Sequence, residues 1–416
     1  MNERIDIATL DRPVAGPARL TLGDALRPGW LEGDVVLPVE GVASDLAGEP
    51  LAHLTVAGER LVGIARDGET VRFGFDPRAV LDCLQREAYL PPAGRPTISR
   101  LPRWYRLVPG SWRLRVHGWL TRGKSGDIGK SGDINYDLCP QISQVPHWPI
   151  EPAGAVLMHL LRRLAGAPAP SWPGGAAFAV ALCHDVDTRR GLRSVPMIAG
   201  AEAGAGVRSG WAVVAERYNG YEGLLDDLRA EGHEVLCHGC RHDFRLPYLK
   251  ASAMARRLDH CRSMVERFDV EGFRSPAMLM SAALRSGLKE VFAYDTSIPD
   301  TAIRTPVGPR RGCAMVEPFN VDGLLELPLT LPLEDKLLLL GYDAGAILDV
   351  WRRKVAWIKR VGGLAMITTH GERHLGARPD ILAAYADLVQ ELAEDDGAWI
   401  ATPGEVAQHW RDKVGA

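Results

Sequence analysis

From residue 176 to the C-terminus, short apolar runs alternate with stretches in which apolar residues recur every three or four positions. The runs predict strands over 178–183, 211–215, 234–237, 272–274, 291–294, 324–329, 364–368 and 399–402. The longer period predicts helices near 221–230, 251–268, 344–359 and 379–394. Regular alternation of strand and helix argues for a parallel sheet, because a parallel pair needs a crossover segment and a helix supplies it. Seven or eight strands over about 240 residues suit an α/β fold, a (β/α) barrel closed or nearly closed on itself. In such a barrel, chemistry collects at the C-terminal ends of the strands.

The first 150 residues have a different texture, β-rich and irregular. Residues 61–65 and 70–75 flank Asp67-Gly68, a hairpin signal. A short helix is expected over 77–89. Trp104, Tyr105, Trp112 and Trp119 follow in a Pro/Arg-rich stretch, where packing explains an aromatic group more readily than sugar contact. The hexapeptide GKSGDI occurs twice, at 123–128 and 129–134. Its glycines stand one residue too far apart for a phosphate-binding loop, and no strand-to-helix context supports one. A helix near 153–164 sits between Pro-rich flanks. The expected organisation is therefore a β-rich accessory domain (1–150), a linker and helix (151–175) and the barrel (176–416).

Charge narrows the possible partners. Lys and Arg number 49 against 52 Asp and Glu, a net charge of −3. Such a balance argues against nucleic acid or an anionic membrane as the partner. No apolar run approaches the ~18–20 residues of a transmembrane segment. The early acidic residues of MNERIDIATLDRPVAG are unlike a secretory leader. Seven scattered cysteines read as reduced thiols rather than a disulfide framework, which completes the expectation of a cytoplasmic chain.

The strand ends carry the candidate chemistry. The first reads His184-Asp185-Val186-Asp187; residues two apart on a strand share a side, so Asp185 and Asp187 can face one cavity. The third runs into Cys237-His238-Gly239-Cys240-Arg241-His242. Two histidines four apart converge on one metal ion if the chain turns helical there, and a carboxylate from elsewhere would complete a three-ligand site with a position left for water. Cys237 and Cys240 also form a C-x-x-C, but a structural zinc would need a second Cys/His pair, and small packing residues are the simpler reading. Arg274, Asp295 and His370 mark three later strand ends, with His374 close behind.

In this order the residues resemble the polysaccharide deacetylase family, the NodB-homology fold of family 4 carbohydrate esterases. The resemblance covers about residues 176–404. It rests on an Asp-x-Asp after the first strand, H-x-x-x-H, Arg-x-Pro, a strand ending in Asp, and a late His. It implies a distorted (β/α) barrel of seven or eight strands with a divalent metal ion, zinc first, held by Asp187, His238 and His242. It implies further that Asp185 is the general base, Arg274 its positioning partner and His370 the general acid, with His374 second in line. Asp295, or alternatively Asp300, would support the acid, and a backbone N–H near Ala277 would meet the oxyanion. The sequence departs from the family pattern at four places: Cys183-His184-Asp185-Val186-Asp187 replaces T-F-D-D, Gly239 replaces Ser or Thr, Ala277 replaces Tyr, and Thr368 replaces Leu. The implied activity is hydrolysis of the N-acetyl amide of an amino sugar in a glycan or glycan precursor. Competing readings are a deformylase or cyclic amidase on the same barrel, a glycan binder that has lost catalysis, and a purely structural chain.

Overall fold

The structure, a computed structural model, describes residues 4–14, 17–89, 149–301 and 312–414. The tryptophan-rich stretch and the GKSGDI repeat lie outside the described residues.

The N-terminal part contributes β1 (Arg4–Ile7), β2 (Arg12–Pro13), β3 (Ala18–Leu22), β4 (Val35–Leu37), β5 (Gly41–Val42), β6 (Glu49–Val56), β7 (Glu59–Asp67) and β8 (Thr70–Phe73). Six of these form one sheet in the order β1-β8-β7-β6-β3-β4, and β2 pairs with β5. The expected hairpin is β7–β8: Asp67 pairs with Thr70 across a turn in which Gly68 takes φ +61°. The helix over 77–89 ends earlier, at Gln85, and starts on an Asp76 cap that accepts from Arg78 and Ala79 N–H.

The second sheet holds β9 (Phe178–Val186), β10 (Gly210–Val213), β11 (Glu234–Cys237), β12 (Gly272–Phe273), β13 (Tyr294–Asp295), β14 (Phe319–Val321), β15 (Leu324–Glu326), β16 (Leu364–His370) and β17 (Ala398–Ala401). Its order is β14-β15-β13-β12-β11-β10-β9-β16, with β17 also on β9. Only the β14–β15 pair is antiparallel. All nine residues of β9 are buried, as expected of a continuous apolar run at the centre of a parallel sheet covered on both faces. The open edge is sealed by irregular chain: Leu331 N–H donates to Met366 O (3.1 Å), Leu364 N–H to Val316 O (2.7 Å), and Thr330 Oγ1 to Leu364 O (2.7 Å). The result is a distorted (β/α) barrel.

Its interior is narrow because the inward positions of β9 are small: Ala179, Ala181 and Cys183 face Ala212, Leu236, Tyr294, Leu325, Leu364 and Met366. Trp172, stacked at 6.0 Å on Trp399 and 5.7 Å from Trp410, closes the N-terminal end. The outward positions Phe178, Val180, Leu182 and Val186 join a larger core that continues into the N-terminal sheet. The helix Ala153–Ala165 carries that continuity. A Cβ on Gly154 would meet Ala314 O at 2.2 Å, and Arg162 Nη1 pairs with Glu317 Oε1 at 2.7 Å. Asp322 adds a bridge, accepting from Arg285 Nε (3.0 Å) and from Arg86 of the N-terminal part. The expected helix over 251–268 is two helices, Ala251–Asp259 and Arg262–Phe268. They break at His260-Cys261, where Cys261 N–H bonds three residues back to Leu258 O (3.0 Å) and tightens the turn.

Candidate active site

Strand parity sorts the polar residues. On β9 the inward row Ala179, Ala181, Cys183 continues into Asp185 and then Asp187, while His184 falls on the outer face. On β16 the inward row Leu364, Met366 continues into Thr368 and His370. Register places His370 beside Asp185 and Thr369 beside His184. On β11, inward Leu236 is followed two residues on by His238. Asp185, Asp187, His238 and His370 are therefore delivered to one mouth by the same alternation that packs the interior below them.

Asp187, His238 and His242 converge. Asp187 Oδ1 lies 3.1 Å from His238 Nε2 and 3.0 Å from His242 Nε2. His238 Nδ1 donates to Arg274 O at 3.1 Å, which fixes the tautomer and leaves Nε2 with its lone pair. A carboxylate oxygen and two imidazole nitrogens within 4.8 Å of one another suit a divalent ion such as zinc. The chain does not turn helical between the two histidines. It makes an irregular loop in which Gly239 adopts φ +69°, a conformation that disfavours the Ser or Thr usual in the family pattern. Burial pushes the Asp187 carboxyl up, but the two imidazoles that face it, His242 first, outweigh burial and hold it well below the usual range. Burial also lowers His242, favouring the neutral form that ligates.

Two flanking groups are built differently. Asp185 is 4% exposed and accepts from Arg274 Nη1 at 3.4 Å; Arg274, fully buried, also donates to Thr368 Oγ1 (3.2 Å) and Thr296 Oγ1 (3.3 Å). The Thr368 hydroxyl thus has a use that the family's Leu could not serve. His370 is held by Glu334, whose Oε1 accepts both its backbone N–H (2.8 Å) and Nδ1 (2.9 Å). Burial would lower the His370 pKa, but the charge and hydrogen bond of Glu334, then Asp335 and Asp187, raise it well above its ordinary value. The Asp187 contribution would be neutralised by a bound cation; those of Glu334 and Asp335 would remain.

No protein-family model and no curated protein matches this sequence. Solved structures do. A protein from Mycobacterium smegmatis classed as a polysaccharide deacetylase aligns with 59% of this chain and 94% of its own, at 21% identity and a TM-score of 0.51. The chain has the polysaccharide deacetylase fold. Puue allantoinase (60% and 96% covered, 16% identity, TM-score 0.47) and a Pseudomonas aeruginosa PAO1 protein classed as a polysaccharide deacetylase (62% and 98%, 16%, 0.49) also align.

On this polysaccharide deacetylase fold, two expected supports for the acid stand elsewhere. Asp295 follows inward-facing Tyr294 on β13, so parity turns it outward. It pairs in register with Glu326 and accepts from Ser297 Oγ at 2.6 Å. Burial raises both carboxyls of that pair, Glu326 well above its usual range. Asp300 is buried against Lys354 Nζ, which also donates to Pro149 O at 2.8 Å. The carboxylate that meets His370 is Glu334, in the first turn of the helix Glu334–Leu339. His184 is not part of the mouth: its Nε2 donates to Glu202 Oε1 (2.7 Å), itself bound by Tyr385 OH (2.5 Å), and its Nδ1 lies 2.8 Å from Thr369 Oγ1. Ala277 and Met278 follow Arg274 with φ of 55° and 57°, a strained pair beside the site. Among the described residues no helix is long and apolar enough to cross a membrane.

Proposed function

We propose that this chain is a metal-dependent amide hydrolase that removes the N-acetyl group from an amino sugar in a glycan or glycan precursor. One observation carries the proposal: Asp187, His238 and His242 converge at the strand ends that also carry two proton-handling groups, Asp185 on Arg274 and His370 on Glu334. A divalent ion on the Asp187, His238 and His242 donors would supply Lewis acidity, polarising the acyl carbonyl and making water easier to deprotonate near neutral pH. Asp185, oriented by Arg274, accepts the proton of the attacking water. His370, with Nδ1 engaged by Glu334, gives its other ring proton to the departing amine, which is a poor leaving group without it. The backbone N–H at Ala277, offered from a positive-φ turn, is the candidate donor to the oxyanion.

The test is release of acetate from a panel of N-acetyl amino sugars and oligosaccharides, with N-formyl sugars and cyclic amides alongside, before and after chelation and zinc return. Zinc-restored acetate release supports the reading. Faster turnover of N-formyl or cyclic substrates would move the assignment to another C–N hydrolase. Sugar binding with metal loaded and no acyl release would overturn catalysis in favour of a glycan binder.

A further inference from the structure

The C-x-x-C of Cys237 and Cys240 lacks a second Cys/His pair in its own stretch of sequence, and the fold brings one to it. The break between the helices Ala251–Asp259 and Arg262–Phe268 presents His260-Cys261 to the loop that carries Cys240. Cys240 Sγ is 3.6 Å from Glu216 Oε1, and that oxygen is 3.8 Å from His260 Nε2. All three donor atoms lie within 4.8 Å of one another. Cys261, fully buried, is hydrogen-bonded to both Cys240 and Cys237. Arg241 Nε donates to the same Glu216 oxygen and holds the carboxylate in place.

Bonds of about 2.0–2.3 Å at tetrahedral angles put the donor atoms of a zinc site about 3.3–3.8 Å apart. The Cys240–Glu216 and Glu216–His260 separations fall in that range. Soft sulfur with imidazole and one carboxylate is a donor set that selects zinc over magnesium or calcium. We propose that Cys240, His260 and Glu216 form a second site for zinc, a three-ligand set with the fourth position left to water. It is distinct from the Asp187, His238 and His242 donors and does not depend on their assignment. Cys240 stands midway between His238 and His242, in a loop without regular structure. An ion here ties that loop to the helix break and restrains the backbone that aims His242.

The test uses the full-length protein, stripped by chelation and reloaded with Zn²⁺, with metal counted by elemental mass spectrometry. Two zinc ions per chain are expected, one lost in Cys240→Ser and in His260→Ala, the other lost in His238→Ala. His260 is mostly exposed (66% of its side chain), so its substitution does not disturb the core. Reconstitution with Co²⁺ adds a readout specific to sulfur. A thiolate-to-cobalt charge-transfer band should appear in wild type and His238→Ala and vanish in Cys240→Ser. Unchanged zinc content in both Cys240→Ser and His260→Ala overturns the proposal, as does a Co²⁺ spectrum without that band. A Cys240–Cys261 disulfide that forms in place of metal uptake overturns it too. If the only ion present is lost with Cys240→Ser and not with His238→Ala, the second site stands and the proposed hydrolase reading fails.

Discussion

Glu334→Gln isolates the charge behind the proposed acid. Glu334 is fully buried, and one oxygen accepts both the backbone N–H and the Nδ1–H of His370. A glutamine keeps that oxygen and the shape of the side chain, so both hydrogen bonds survive and only the charge is lost. Hydrogen bonds to a charged partner contribute ~1.5–3 kcal/mol and neutral ones ~0.5–1.5, so the imidazolium loses about 1–1.5 kcal/mol of support. At 1.36 kcal/mol per tenfold, turnover near pH 8 should fall about five- to tenfold. The deficit should narrow toward pH 6, because the wild-type imidazole holds its proton to higher pH than the variant does. Stability follows the same sign. The folded-state His370 pKa is raised, so its contribution is complete below the unfolded value of about 6.5 and is lost as pH rises through the folded one. Melting temperature in the variant should therefore lose part of its fall on the alkaline side. The assay is kcat/KM for acetate release from pH 5.5 to 9, with metal content measured in parallel. An alkaline limb that does not move, at unchanged metal content, would refute the pairing of Glu334 with the acid.

Three further outcomes are expected. Asp185→Asn should retain full metal content while turnover falls by about 10²–10⁴, the usual contribution of a general base; wild-type turnover in that variant removes Asp185 from the role. Asp300→Ala should cost about 3–5 kcal/mol in denaturant unfolding, because it strands the fully buried Lys354 ammonium, while turnover per folded molecule is kept. Lost turnover at unchanged stability would instead return Asp300 to the proposed acid. Gly239→Ala should cost about 1–2 kcal/mol for a left-handed alanine. Its Cβ would also press on the Pro276 ring at 3.1–3.2 Å, so zinc affinity at the His238 and His242 donors should weaken; unchanged affinity would mean the loop backbone does not aim them.

The barrel was legible from its long buried runs at 178–186 and 364–370 and from the regular alternation of shorter apolar runs with helical periods. The apolar run at 178–183 reads as a strand, two-residue parity groups Asp185 with Asp187 on one side, and the structure shows that side to be the barrel interior. Parity also carries information that a motif comparison passes over. It turns His184 away from the mouth into the Glu202–Tyr385 network, and it turns Asp295 toward Glu326. The strand at 294–295 is only two residues long, so its phase rests on the placement of Tyr294 in the barrel interior.

What stayed hidden has a common cause: it depends on where a helix end lands. Glu334 begins a helix of six residues, too short for an apolar period to announce it, and reaches His370 only because the chain after β15 runs back along β16. The His260-Cys261 pair sits where the apolar repeat of 251–268 continues unbroken while the backbone does not. In both places the decisive partner is distant in sequence: His370 for Glu334, and Cys237 and Cys240 for Cys261, whose Sγ also donates to Arg257 O at 3.5 Å. A buried carboxylate such as Glu334 must find a partner wherever the fold supplies one, because leaving it unpaired costs ~1–3 kcal/mol or more. That constraint turns such a position into a search problem with few solutions. Glu334 has one imidazole within reach of its oxygen, and Cys261 has two thiols. The same reasoning applied to Cys237 and Cys240 would have asked which element lies against β11 and carries a donor. The answer, the helix pair ending in His260 and beginning after Cys261, is the element from which the second metal site follows.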